Sequence, residues 1–157
     1  MRKRSRYRPK GVRLDTMGYA IESMKPVTQH ESFALDLRLK NHLAFTLLKQ
    51  GTATREDMDV VIAALNITES LWRLGHGKDY RLEVDAGLRA LRAVATRGID
   101  TNCFAADDEE LLAIDTALGL HDAQLDVITV KDMEKALFIV HEEIRNKRAT
   151  PIKETKT

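Results

Sequence analysis

Few residues in this chain combine a reactive type with a spacing that chemistry could use. His121 and Asp122 are adjacent, and an imidazole beside a carboxylate can begin a metal site if further ligands converge on it. His42 with Asp126 or Asp132 could be recruited to complete such a set, but the spacings do not match one. His141-Glu142-Glu143 is a second candidate. A dinuclear site in a helical bundle places a Glu three residues before a His on facing helices, and Glu110, Asp115 and Glu134 do not stand in that position. His121 instead falls in line with Leu111, Ile114, Leu118 and Leu125, the residues of an apolar helix stripe. It is expected to be a hydrogen-bonded core histidine, with no metal and no cofactor.

The other reactive groups read similarly. Cys103 is the one cysteine, which excludes an intrachain disulfide and a tetrathiolate metal site and suits a reducing compartment. A nucleophilic thiol would need a neighbouring base, so a partly buried thiol is expected. The carboxylate pairs Asp57/Asp59 and Glu109/Glu110 could do acid–base work, but they stand where helix caps and solvent faces need them. The chain has no glycine-rich phosphate loop and no Gly-x-Ser-x-Gly elbow, and Gly75-His76-Gly77 reads as a helix-ending turn. The expectation is a protein that is not an enzyme.

Charge is the stronger signal. The formal net charge of +1 conceals seven cations and no acid in residues 1–13, and five cations against Glu154 in residues 145–157. Residues 14–144 carry 13 basic and 23 acidic residues, a net of −10. The arm of Arg2, Lys3, Arg4, Arg6, Tyr7, Arg8, Lys10 and Arg13 could follow phosphates, with Tyr7 stacking on a base. The acidic body would repel a duplex, so any nucleic-acid contact is confined to the arms. Asp100, Asp107, Asp108, Glu109 and Glu110 form the densest acidic patch, suited to a basic partner protein, although helix capping alone also accounts for them.

Helices must position all of these residues. At 157 residues with 43% hydrophobic, 31% charged and only 5% aromatic residues, the chain fits one soluble domain with an aliphatic core. Pro26 ends a short helix at about 15–24 that Asp15 could cap. Four capping boxes follow, each pairing a side-chain oxygen with an acid three residues on: Thr28/Glu31, Thr54/Asp57, Asp107/Glu110 and Thr129/Asp132. They predict helices over about 29–50, 55–74, 108–126 and 130–147. Another helix, over about 80–97, starts after Asp79 and stops at Gly98, while Gly51 and Gly75 stop the first two. Apolar spacing near 3.6 supports each helix: Met58, Val61, Ile62, Leu65 and Trp72; Leu88, Leu91 and Ala95; and Met133, Leu137, Val140 and Ile144 flanked by Ala136. The first two helices are apolar enough to be the centre of the bundle. The fold expected is all-α, a five-helix, mostly antiparallel bundle. The domain is 14–147, with a basic arm over 1–13 and a tail over 148–157. No window approaches 18 apolar residues, so no membrane span is expected.

Three stretches carry a resemblance. They are Arg6-Tyr7-Arg8-Pro9-Lys10 with Asp15-Thr16-Met17-Gly18-Tyr19; Leu39-Lys40-Asn41-His42 leading to Ala64-Leu65-Asn66; and Leu120-His121-Asp122-Ala123-Gln124-Leu125-Asp126. In order and spacing the chain resembles a group of small helical proteins encoded by tailed phages and prophages of Gram-negative bacteria. No motif of that group has an assigned chemistry. The resemblance implies a phage protein in the bacterial host cytoplasm, an accessory factor that binds and modulates a host protein, with defence components among the candidates. The alternative is a nucleic-acid-binding protein acting through the arm. A weak third is a metal-dependent phosphohydrolase, since His121-Asp122 is similar to the ligand doublet of HD-type enzymes. A homo-oligomer is left open.

Overall fold

A computed structural model describes residues 16–146 and Arg148. The basic arm, Asp15 and the tail after Arg148 lie outside the described residues. Six α-helices run α1 Thr16–Ser23, α2 Glu31–Lys49, α3 Arg55–Arg73, α4 Arg81–Gly98, α5 Asp108–Val127 and α6 Val130–Arg145, with 3-10 turns at Val27–Gln29 and Lys78–Tyr80. The architecture is all-helical as expected, with no strand among the described residues. The count of five falls one short, because α1 is a formed helix. Its Tyr19 hydroxyl donates to Glu134 Oε2 of α6 at 2.5 Å.

Three of the four capping boxes form. Thr54, Asp107 and Thr129 each accept the backbone N–H of Asp57, Glu110 and Asp132, and each of those carboxylates accepts the N–H of its capping residue. The Thr28/Glu31 box does not form: α2 begins after His30, which makes no side-chain cap. Tertiary contacts override the local signal there. Val27 is buried, its N–H donates to Ile128 O at 3.0 Å, and Val130 N–H donates to Lys25 O at 3.0 Å. This bridge draws residues 27–29 into a 3-10 turn against the α5–α6 junction, displacing the helix start.

Gly51 and Gly75 end α2 and α3 as expected, at φ +68° and +106°, values that L side chains rarely adopt. Around each, paired backbone bonds close the last turn, such as Thr52 N–H to Leu47 O and Gly51 N–H to Leu48 O, both 3.0 Å. Asp79 does not cap α4, because it lies inside the second 3-10 turn. Gly98 does not stop α4 by a left-handed turn either. It is the last helical residue, and a Cβ there would lie 2.4 Å from the Phe104 ring. Its smallness admits Phe104 to the core.

Helix α3 is the centre, packed against α2, α4, α5 and α6. Its Met58, Val61, Ala64 and Leu65 join Phe45, Leu91, Phe104, Ile114 and Leu118 in one core cluster. Ile67 and Leu71 join Val27, Leu125, Ile128, Met133 and Ala136 in a second. The α5 stripe is placed as expected, with Ile114, Leu118, His121 and Leu125 buried. The expectation that α2 is central is corrected. Its Ala34, Ala44, Phe45 and Leu48 are buried, but Leu35, Leu39 and Leu43 are 57%, 60% and 63% exposed. On α6 only Met133 and Ala136 are buried, while Leu137 and Ile144 are exposed.

Candidate functional site

The second and third sequence stretches quoted above come together where α2 crosses α5. Arg38, Asn41 and His42 occupy one side of α2 at spacings of three and four, and Asp122 and Asp126 occupy the facing side of α5. The Arg38 guanidinium donates to the Asp122 backbone oxygen at 3.0 Å and pairs closely with the Asp126 carboxylate. His42 Nε2 lies 2.6 Å from Asp122 Oδ2. This is a half-exposed network of two carboxylates, one guanidinium and one imidazole.

A buried polar layer lies beneath it. His121 is 0% exposed, and its Nδ1 meets the Thr68 hydroxyl of α3 at 3.1 Å. That hydroxyl gives its proton to the Ala64 carbonyl at 2.9 Å, so Nδ1 carries the ring proton and Nε2 is an acceptor with no hydrogen-bond partner among the described residues. Burial pushes the imidazole down to about 4; Asp122 opposes the shift and Arg38 and His42 assist it. Gln124 spends both amide protons on carbonyls, Thr68 O at 3.2 Å and His76 O at 3.0 Å, which ties α5 to the end of α3. Asn41 is 2% exposed, and its side-chain nitrogen has no hydrogen-bond partner among the described residues, nor has Gln124 Oε1. Arg38, Thr68, Asn41 and Gln124 did not enter the candidate list from sequence. Asn41 and Gln124 could have been found as polar residues falling on otherwise apolar stripes.

The histidine doublet is therefore divided. His121 is the hydrogen-bonded core histidine expected of it, and Asp122 serves His42 and Arg38. Asp132 is occupied by the α6 cap and by His76 at 3.6 Å, and His141 is exposed. Among the described residues no three His, Cys, Asp or Glu side chains gather as a metal cluster. Cys103 is exposed, not partly buried as expected, because it follows Asn102 at φ +51° in the loop before α5.

The acidic patch is partly committed to structure. Asp107 and Glu110 form the α5 cap, and Arg97 grips the Glu110 carboxylate with bonds of 2.8 and 2.6 Å. That grip holds the Glu110 carboxyl below its ordinary range and the Arg97 guanidinium above its own. Asp108, Glu109 and Asp100 are exposed. The phosphate-binding candidates Arg2, Lys3, Arg4, Arg6, Tyr7, Arg8, Lys10 and Arg13 all lie outside the described residues.

Fold and site together define an all-helical protein with an ion-pair network over a buried polar layer and a leucine-lined outer face on α2. No helix among the described residues is long and apolar enough to cross a membrane. No family model, curated protein or solved structure matches the chain.

Proposed function

We propose that this protein acts by binding another protein, without catalysis, and that the outward face of α2 is the docking surface. One observation carries the reading. Leu35, Leu39 and Leu43 form a stripe at spacings of four, opposite the buried stripe of Ala34, Asn41, Ala44, Phe45 and Leu48. A helix apolar on both sides has one side for its own core and one for a partner. Leucines at such spacings are the anchors a helix sets into an apolar groove, so the partner chemistry is a groove that receives α2. The setting proposed is a phage or prophage accessory protein, made in the host bacterial cytoplasm, that binds and modulates a host protein, with defence components among the candidates. Asp108 and Glu109, exposed at the start of α5, are a separate acidic surface that would suit a basic partner.

The test is a tagged pulldown from bacterial lysate, with and without nuclease, run for the wild type and Leu39→Glu. The supporting result is a protein captured by the wild type after nuclease treatment and lost with Leu39→Glu, while both show the same circular dichroism melt. Loss of every partner on nuclease treatment, with a gel shift abolished by removing residues 1–13, supports the nucleic-acid alternative instead. A wild-type dimer dissolved by Leu39→Glu assigns the stripe to a second copy of the chain.

A further inference from the structure

On the far side of α3 from α2, a groove of about 420 Å³ runs between α4 and α6. That volume lies within the range of small-molecule sites. Ile62 and Asn66 of α3 form its floor, with Leu88 of α4 on one wall and Val140 and Ile144 of α6 on the other. Three carboxylates line it, and each already has a cation. Glu69 pairs with Arg73 at 2.9 Å, Asp85 with Arg81 at 2.8 Å, and Glu143 with Arg73 at 3.5 Å and Arg148 at 3.6 Å. Arg81 also lies over the Trp72 ring, 4.3 Å from its centroid. The Ser70 hydroxyl is taken by the Asn66 backbone oxygen at 2.9 Å.

Two cations and an amide remain. Arg89 and Arg92, three residues apart on the α4 wall, make no ion pair or hydrogen bond among the described residues, and neither does the Asn66 side chain. Residues three apart on a helix are neighbours on its surface. Two guanidiniums so placed can grip one carboxylate between them with charge-assisted bonds. The composition of the groove selects the rest of the ligand. With its three carboxylates paired, only Arg89 and Arg92 are left to receive an anion, enough for one carboxylate head, and no aromatic ring lines the groove for a nucleotide base to stack on. Its remaining surface is aliphatic.

We propose that this groove is a binding site for a small aliphatic carboxylate, with the anionic head on Arg89 and Arg92 beside Asn66 and the chain along Ile62, Leu88, Val140 and Ile144. This goes beyond the protein-docking role of α2 and does not depend on it, since the two surfaces share no residue.

The experiment is a nitrogen-15 NMR titration of the full chain with octanoate, octanamide and inorganic phosphate, following the Asn66 side-chain amide and the arginine Nε–H signals. Octanoate is expected to shift Asn66, Arg89 and Arg92, with octanamide and phosphate each weaker by about tenfold or more, the worth of a charge-assisted grip. Replacing Arg89 and Arg92 together by Gln should weaken octanoate by a similar factor while Leu39→Glu leaves it unchanged. Equal binding of octanamide, shifts confined to other faces, or no shift at roughly 10 mM octanoate would each overturn the proposal. The octanamide comparison uses the wild type, so it decides the matter even if the double variant does not fold.

Discussion

His121 and Asp122 are neighbours in sequence but face different surroundings: His121 turns inward to Thr68 of α3, and Asp122 turns to His42 of α2 at 2.6 Å. The 100° step between successive helical residues separates them, and the consequences can be measured.

His121 should make stability fall in acid. Its folded value, about 4, lies below the ordinary 6.5, so the unfolded chain takes up a proton that the folded chain refuses. The contribution is complete above about 6.5, declines as pH falls from there to about 4, and is flat below, in total on the order of 3 kcal/mol. Urea unfolding between pH 7.5 and 4.5 should show a steeper loss for the wild type than for His121→Gln. Parallel curves would mean that the ring reaches solvent.

Asn41 should be a stability defect kept by the fold. Its side-chain nitrogen is buried without a partner among the described residues, and such a group costs about 1–3 kcal/mol. Asn41→Leu, similar in shape and apolar, should raise the urea midpoint by the equivalent of about 1 kcal/mol. A lowered midpoint would show that the amide makes a stabilising contact.

The caps should separate cleanly. Thr129→Ala removes a bond that holds the start of α6 and should cost about 1 kcal/mol. Thr28→Ala removes no cap, and its melting temperature should stay within the equivalent of about 0.5 kcal/mol of wild type. A larger loss at Thr28 than at Thr129 would place the start of α2 where the sequence signal puts it.

Two helical glycines should respond in opposite directions. A Cβ at Gly87 would lie 2.5 Å from the Ala117 Cβ, so Gly87→Ala forces α4 from α5 and should destabilise by about 1–3 kcal/mol. At Gly119 a Cβ would meet nothing within 4 Å, and Gly119→Ala should gain up to about 1 kcal/mol of helix propensity. Calorimetric melts of the two variants check both signs.

Local signals in the chain were enough to determine where α3, α5 and α6 begin and where α2 and α3 end: a side-chain oxygen followed three residues later by an acid at Thr54, Asp107 and Thr129, and a glycine at 51 and 75. Those signals act within one turn, so no partner element is needed to read them. The burial of His121 was legible for a related reason, since its place on the α5 stripe follows from helical periodicity alone. Tertiary structure decided the rest. Thr28 meets the local requirement for a cap, but long-range backbone bonds to Ile128 and from Val130 outweigh it. An apolar α2 is consistent with a central helix or with an edge helix facing a partner, and only the packing of α3 against four neighbours placed α2 at the edge with Leu35, Leu39 and Leu43 outside. The pairing of His42 with Asp122 and the placing of Arg89 and Arg92 in a groove between α4 and α6 depend on residues far apart in the chain, brought together by helix packing that periodicity does not specify.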